Sequence, residues 1–208
     1  MYLGHFAVGL AAKPVAPKAS LGILLVATQV IDILYPVFLI AGIGRLGGSV
    51  WDHGLVMSLV WSAVAFGIFC AVSRDMRSGL LVGFLVFSHW IGDFIAYRVL
   101  PIAFNDLPKV GLGLYSSLPA MLIWDFGLFS LALAYYLFRT KAKDRIGKWA
   151  PWLLVLYLIL LMPAAMLPGK LIAVMALGMA LVLPIGMWID RHRSVIPVPG
   201  KKPGMLKA

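Results

Sequence analysis

The feature that most constrains this chain is a succession of apolar runs, each long enough to cross a lipid bilayer as a helix. Such a crossing needs about 20 residues. Six runs meet this requirement, roughly at residues 20–42, 53–72, 79–99, 115–138, 149–167 and 171–189. Because 62% of the residues are hydrophobic and the mean hydropathy is +0.97, a soluble domain could not bury this much apolar surface. We therefore predict an all-α membrane protein whose single domain, residues 1–190, is a six-span transmembrane helix bundle.

The segments outside these runs have simpler readings. Residues 1–12 are apolar but too short to span, and they lack the basic region that opens a signal peptide. We expect them to form a short half-inserted helix that carries His5. Pro36 is expected to kink the first span. Residues 191–208 are basic and interrupted by Pro and Gly, so we expect a disordered tail.

The distribution of basic residues predicts an orientation. Of the 18 Lys and Arg residues, 14 fall in the segments on one side of the predicted bundle and 4 on the other. This bias places both termini in the cytoplasm, as expected for a multi-pass protein of the cell's inner membrane. The net charge of +10 therefore indicates contact with membrane lipids rather than with nucleic acid, and the basic loop 139–148 serves as a topology signal.

Ionisable residues inside the apolar runs are the second notable pattern. His89 and Asp93 are four residues apart and so lie on one helix face. A central Asp costs about 2.5–3.5 kcal/mol on membrane-insertion scales, so such residues usually have partners and a function. Asp32 in the first span lies at a matching depth, and Asp125 in the fourth falls near mid-depth. His53 begins the second span. We predict that these residues form one buried polar site, which His5 joins if the N-terminal segment enters the bundle.

Histidine and aspartate ligands from several helices suit a divalent metal such as Zn, Mn or Fe. A metal site with an open position lowers the pKa of a bound water and so produces a hydrolytic nucleophile, with a free Asp as general base. The alternative is a hydrogen-bonded network that only joins helices. Cys70 is the one cysteine, so neither an intramolecular disulfide nor a thiolate cage can form.

The order of these residues resembles that of the YdjM-like inner-membrane proteins, described as predicted membrane-bound metal-dependent hydrolases. The motifs are Gly4-His5, Gln29-x-x-Asp32, His53 before span 2, Ser88-His89-Trp90-x-x-Asp93, KVGLGLYSS at 109–117 and Asp125. The resemblance implies that His5, Asp32, His53, His89 and Asp93 are metal ligands. We expect Asp125 to act as the catalytic base or to orient a ligand.

The chain also departs from the family pattern. Ile31 replaces a Pro before Asp32, and Asp52-His53-Gly54 replaces Ser-His-Ser. A later His and Asp of the family correspond to Tyr97 and Leu100. If those positions hold a second ion or the substrate in relatives, this chain has lost that capacity and has a single metal, an altered substrate or no activity.

These observations leave three functional hypotheses. The first is a membrane-embedded hydrolase of an ester or phosphoester, with lipids among the candidate substrates. The second is a non-catalytic accessory subunit that docks to a membrane-protein partner or forms a homo-oligomer. The third is a transporter or proton relay, for which the sequence shows neither an internal repeat nor paired broken helices.

Overall fold

The computed structural model describes residues 1–43, 50–104, 108–166 and 172–197, and these form an all-α bundle, as predicted. The helices in the described ranges are α1 Leu3–Ala12, α2 Leu21–Ala27, α3 Val30–Ile40, α4 Val50–His53, α5 Leu55–Ser73, α6 Met76–Ala96, α7 Leu118–Arg139, α8 Arg145–Met166 and α9 Ile172–His192, with a 3-10 turn at Leu114–Ser116. Short strands β1 Leu100–Pro101 and β2 Lys109–Val110 pair antiparallel, as do β3 Thr140–Ala142 and β4 Arg193–Val195.

The spans agree with the apolar runs. Helices α5 to α9 are each long and apolar enough to cross a membrane, and α2 with α3 meets the same criterion only as a pair bent by 55°, which gives five or six candidate spans. The chain is therefore a multi-pass membrane protein. The observed helices begin or end a few residues from the predicted limits, because α6 and α8 start in the preceding basic loops.

The first span bends at Thr28 and Gln29 rather than at Pro36. The Thr28 hydroxyl donates to the Leu25 carbonyl at 2.7 Å, α2 ends at Ala27, and a new helix begins at Val30. Helical backbone then continues through Pro36. The break of the span thus lies before the proline, where a polar pair in the middle of the span ends α2.

Helix α1 lies inside the bundle, where α7, α2 and α6 surround it. Leu3, Phe6 and Leu10 are almost fully buried and join the main apolar core with residues of α2, α7, α8 and α9. A second cluster joins the end of α1 and α2 to α6. The helix expected to be only half-inserted is therefore fully enclosed by its neighbours, and it carries His5 to the interior of the bundle.

Helix α5 packs mainly on α6, and most of its remaining surface is exposed. Its outward apolar side chains include Leu59, Ile68 and Val72. Such a surface suits contact with lipid hydrocarbon, in which apolar side chains are the stable covering.

The two ends of the bundle differ in charge and covering. At one end, the 13–20 segment, the α7–α8 turn and the end of α9 meet, and Lys143 Nζ donates to the carbonyls of Asp190 and Arg191. At the other end, β1 lies beside the start of α5, where Val56 N donates to Ile102 O at 3.1 Å. Three of the basic segments expected to share a side, residues 13–18, the loop after α7 and the end of α9, therefore meet at one end.

The predicted disordered tail was given a start at residue 191, but residues 191–195 are ordered. Arg191 and His192 complete α9, and residues 193–195 pair with β3. The order arises because the Arg193 guanidinium donates to the Thr140 carbonyl and hydroxyl and to the Gly147 carbonyl. Residues 198–208 of the predicted tail lie outside the described ranges.

Candidate metal centre

The five residues predicted as metal ligands lie together at the middle of the bundle. Four helices supply them: His5 is on α1, Asp32 in the first turn of α3, His53 at the end of α4, and His89 and Asp93 one turn apart on α6. Three of these residues are almost fully buried, with exposures of 1% for His5, 0% for His89 and 2% for Asp93. Residues distant in sequence thus form one polar cluster.

Four ligand atoms in this cluster, two imidazole nitrogens and two carboxylate oxygens, lie close to one another. His53 Nε2 lies 3.1 Å from Asp32 Oδ1 and 3.7 Å from Asp93 Oδ2. His89 Nε2 lies 3.5 Å and 3.4 Å from the same two oxygens. Ligands held tetrahedrally at about 2.0–2.2 Å from an ion are separated from one another by about 3.3–3.6 Å. The four nitrogen–oxygen separations lie in or close to this range, and Asp32, His53 and His89 form a group that could hold an ion.

The ring of His89 is oriented by a backbone carbonyl. Its Nδ1 donates to Thr28 O at 2.7 Å, because a carbonyl oxygen can only accept a hydrogen bond. This bond directs Nε2 toward Asp32 and Asp93, where it has no hydrogen-bond partner among the described residues. In the neutral ring Nε2 carries a lone pair, so a cation between it and the carboxylates removes the repulsion. Such a bond from the outer ring nitrogen is typical of metal-bound histidine.

His53 has an equivalent support. Its Nδ1 lies 2.6 Å from Asp52 Oδ1, and the same oxygen accepts the His53 backbone N–H at 2.7 Å. Asp52 is only 3% exposed. The carboxylate fixes the imidazole with Nε2 facing the cluster, as carboxylates do in histidine–metal sites. Asp52 is therefore a ring-orienting group for His53.

His5 approaches the cluster from the other side of Asp93. Its Nε2 lies 3.2 Å from Asp93 Oδ1, the oxygen that also accepts from the Met1 amino group at 2.5 Å. The His5 ring stacks on the His89 ring with centroids 3.7 Å apart, and its Nδ1 has no partner among the described residues. His5 thus lies beside the four-atom set, and with His89 and Asp93 it forms a second group that could hold an ion.

Asp125, the predicted catalytic base, binds the start of α1. Its Oδ1 accepts from Gly4 N at 2.6 Å and its Oδ2 from Leu3 N at 3.2 Å. These are free backbone donors of the first helical turn, which a carboxylate satisfies as a cap. The residue is 3% exposed. The geometry gives Asp125 a clear role in holding α1, and through α1 it positions His5.

The partly exposed members of the cluster show where it opens. The side chains of Asp32 and His53 are 19% and 15% exposed, whereas His89 is at 1%. The opening therefore lies toward α4, at the end away from the basic loops. The segment after α6 folds over this end, with Leu112 N donating to Phe94 O at 2.7 Å. Residues 105–107 of this segment lie outside the described ranges.

Sequence reasoning missed one functional group and undervalued another. Thr28 contributes its backbone oxygen, which no residue-type pattern reveals, although a Thr-Gln pair inside an apolar run was a signal of a helix break. The Tyr97 hydroxyl accepts from the Met1 amino group at 3.2 Å. Because the same amino group donates to Asp93, Tyr97 lies at the edge of the cluster.

No protein-family model, curated protein or solved structure matches this chain.

Proposed function

We propose that this chain is a membrane-embedded, metal-dependent hydrolase that cleaves an ester or phosphoester with a single divalent ion. The observation that carries the proposal is the close approach of two imidazole nitrogens to two carboxylate oxygens. Each nitrogen, His53 Nε2 and His89 Nε2, lies 3.1–3.7 Å from both Asp32 Oδ1 and Asp93 Oδ2. Three imidazoles and two carboxylates in an apolar bundle are costly unless they share a cation or protons. Nitrogen and oxygen donors in this ratio suit Zn, Mn or Fe.

A divalent ion at this position would supply an activated water and polarise the bond to be cleaved. The residues of this chain would divide the remaining work. Asp32, His53, His89 and Asp93 hold the ion, and the Thr28 carbonyl and Asp52 keep two imidazoles in the required tautomer. His5 supports Asp93 through its second oxygen or joins as a fifth ligand.

Proton transfer is best assigned at the exposed side of the cluster. Asp32 is the more exposed of the two site carboxylates, with 19% of its side chain accessible. Its second oxygen, Oδ2, would accept a proton from a water that enters beside α4. Asp125, with both oxygens bound to the α1 backbone, is assigned the positioning of His5 rather than the base. The buried wall formed by His5, His89 and Asp93 excludes water from the opposite side.

Elemental analysis of protein extracted without chelator tests this proposal. We expect about one Zn, Mn or Fe per chain in the wild type. His89→Ala should abolish the bound metal, whereas His192→Ala should retain it, since His192 lies at the basic end and pairs with Asp144 at 2.7 Å. If the wild type binds no metal, or binds metal that His89→Ala retains, the hydrolase hypothesis is wrong. That result would favour the accessory-subunit hypothesis, in which the cluster only joins helices.

A second measurement addresses the reaction itself. Wild type loaded with each metal is assayed with a chromogenic phosphodiester and a chromogenic carboxylic ester in detergent micelles. We expect turnover of one of the two classes that follows metal content and is lost in His89→Ala. Stoichiometric metal without turnover of either class would separate metal binding from hydrolysis and would oppose the enzymatic part of the proposal.

A further inference from the structure

A basic cavity of about 420 Å³ opens at the end of the bundle opposite the metal centre. Its wall includes four cationic side chains, Lys13, Lys18, Lys143 and Arg193, and one carboxylate, Asp190. They come from the segment between α1 and α2, the turn after β3, and the end of α9 with β4. Three separate parts of the chain thus direct positive charge toward one space.

The carboxylate in this cavity is already neutralised by the protein. Asp190 Oδ1 pairs with Lys13 Nζ at 2.8 Å, and Oδ2 accepts from Leu21 N at 2.6 Å. Lys13 uses its other donors on the carbonyls of Pro17 and Ala19. The pair fixes the wall, and the cavity lining then holds three further cations, Lys18, Lys143 and Arg193, and no second carboxylate among the described residues.

The remaining cations retain capacity to bind an anion. Lys143 donates to two carbonyls and keeps one of its three N–H groups. Lys18 is exposed at the same cavity. Arg193 is held by Thr140 and Gly147 and contributes a fixed positive charge. A cavity lined by fixed and mobile cations, without a free carboxylate, suits a phosphate group.

We propose that this cavity binds the phosphate of an anionic phospholipid headgroup. The choice of a lipid follows from position, because the cavity lies where the spans end and where headgroups of the basic leaflet lie. The hydrocarbon chains would extend along the exposed apolar surface of the bundle. The site is separate from the metal centre and does not depend on hydrolysis.

Native mass spectrometry of the full chain in detergent tests the proposal, with phosphatidylglycerol, phosphatidylcholine and inorganic phosphate as probes. We expect one phosphatidylglycerol to be retained in preference to phosphatidylcholine. The double variant Lys18→Gln/Lys143→Gln should weaken this binding about tenfold or more. The matched control is Arg77→Gln/Lys148→Gln, which removes two exposed charges at the same end outside the cavity wall.

Three results would overturn the assignment. Equal loss in the control variant would show general attraction to the basic end. Equal binding of phosphatidylcholine would remove the preference for an anionic headgroup. Displacement of phosphatidylglycerol by millimolar inorganic phosphate would identify a site for a free anion. Lys18→Gln alone, at an exposed side chain, repeats the test if the double variant unfolds, and it should then weaken phosphatidylglycerol binding while Arg77→Gln does not.

Discussion

His89 Nδ1 donates to the carbonyl oxygen of Thr28 at 2.7 Å, across the point where the first membrane span is broken. The break and the ligand depend on each other. In an unbroken helix this carbonyl would accept from the amide four residues later, whereas here it is free to orient an imidazole. The broken span therefore has a functional reading, since it places a backbone acceptor in the interior of the bundle.

Thr28→Val should weaken metal binding about 10- to 100-fold, the usual effect of losing an outer support of a ligand. The Thr28 hydroxyl donates to Leu25 O and accepts from Gln29 Nε2 at 3.1 Å. Valine keeps the shape but removes both bonds, so the break that presents the carbonyl is no longer held. Metal affinity is measured by competition with a chelator of known affinity.

Ser88→Ala provides the control for this change. The Ser88 hydroxyl also donates to a carbonyl three residues earlier, Leu85 O at 2.7 Å, but that carbonyl belongs to α6 and supports no ligand. We expect its metal affinity to match the wild type within about threefold. An equal decrease in both variants would indicate a loss of folding rather than of His89 orientation.

Asp52→Asn should lower metal affinity by about 10-fold, because Asp52 orients His53 through Nδ1 at 2.6 Å without touching the ion. The amide retains an acceptor but loses the charge that makes the imidazole a stronger ligand. Asp144→Asn is the control, since Asp144 pairs with a histidine of the same kind, His192, at the opposite end. A normal affinity in Asp52→Asn would exclude this role.

Asp125 offers a test of capping against catalysis. Asp125→Ala removes both acceptors of the α1 N-terminus and should lower stability by about 1–3 kcal/mol. Asp125→Asn keeps one oxygen acceptor and should recover most of this loss. Thermal unfolding in detergent measures both variants.

The hydrolysis assay then separates the two roles. If Asp125 only caps α1, Asp125→Asn should retain most of the turnover of the wild type, just as it retains most of its stability. A catalytic base predicts that Asp125→Asn is stable, binds metal and has lost turnover by about 100-fold or more. That second pattern would restore the base to Asp125 and remove it from Asp32.

The sequence predicted part of the group of residues that meet in the bundle, whereas Asp125, expected at the same site, binds the start of α1 instead. Asp32 and His89 carry the high cost of ionisable groups in hydrocarbon, and their matched depth predicted a shared site. His5 could be placed only conditionally, because nothing in residues 1–12 states that the helix enters the core. In the structure α1 lies in the core, where Asp125 accepts hydrogen bonds from the backbone at the start of α1. The family resemblance and the metal remain predictions.

The parts that the sequence could not predict depend on backbone geometry. The carbonyl of Thr28 has the same chemistry as any other, and its role follows only from the position of the helix break. Pro36 was the stronger local signal for a bend, but the break occurs before it. The basic cavity likewise depends on how three distant segments meet, so loop 139–148 was interpreted only as a topology signal.

The last prediction concerns Gly22, which lets α2 pack against α9 with backbone in contact with backbone. A Cβ at Gly22 would collide with the carbonyl of Leu183, and one at Gly186 would collide with the backbone of Gly22. Small residues allow such close approach between membrane helices. A carbonyl held in a helix cannot move as a side-chain end can, so Gly22→Ala must separate the helices. We expect Gly22→Ala to lower the free energy of unfolding by about 1–3 kcal/mol, the usual effect of inserting extra atoms into a packed interior.

Gly67→Ala is the matched control, because a Cβ there meets nothing within 4 Å. It lies inside α5, where alanine is favoured over glycine by up to about 1 kcal/mol, so stability should be unchanged or slightly raised. Thermal unfolding of both variants in the same detergent gives the comparison. Since α2 leads directly to Thr28, Gly22→Ala should also reduce metal affinity, whereas Gly67→Ala should not. If Gly22→Ala proved as stable as Gly67→Ala, α2 and α9 would not be in the close backbone contact described here.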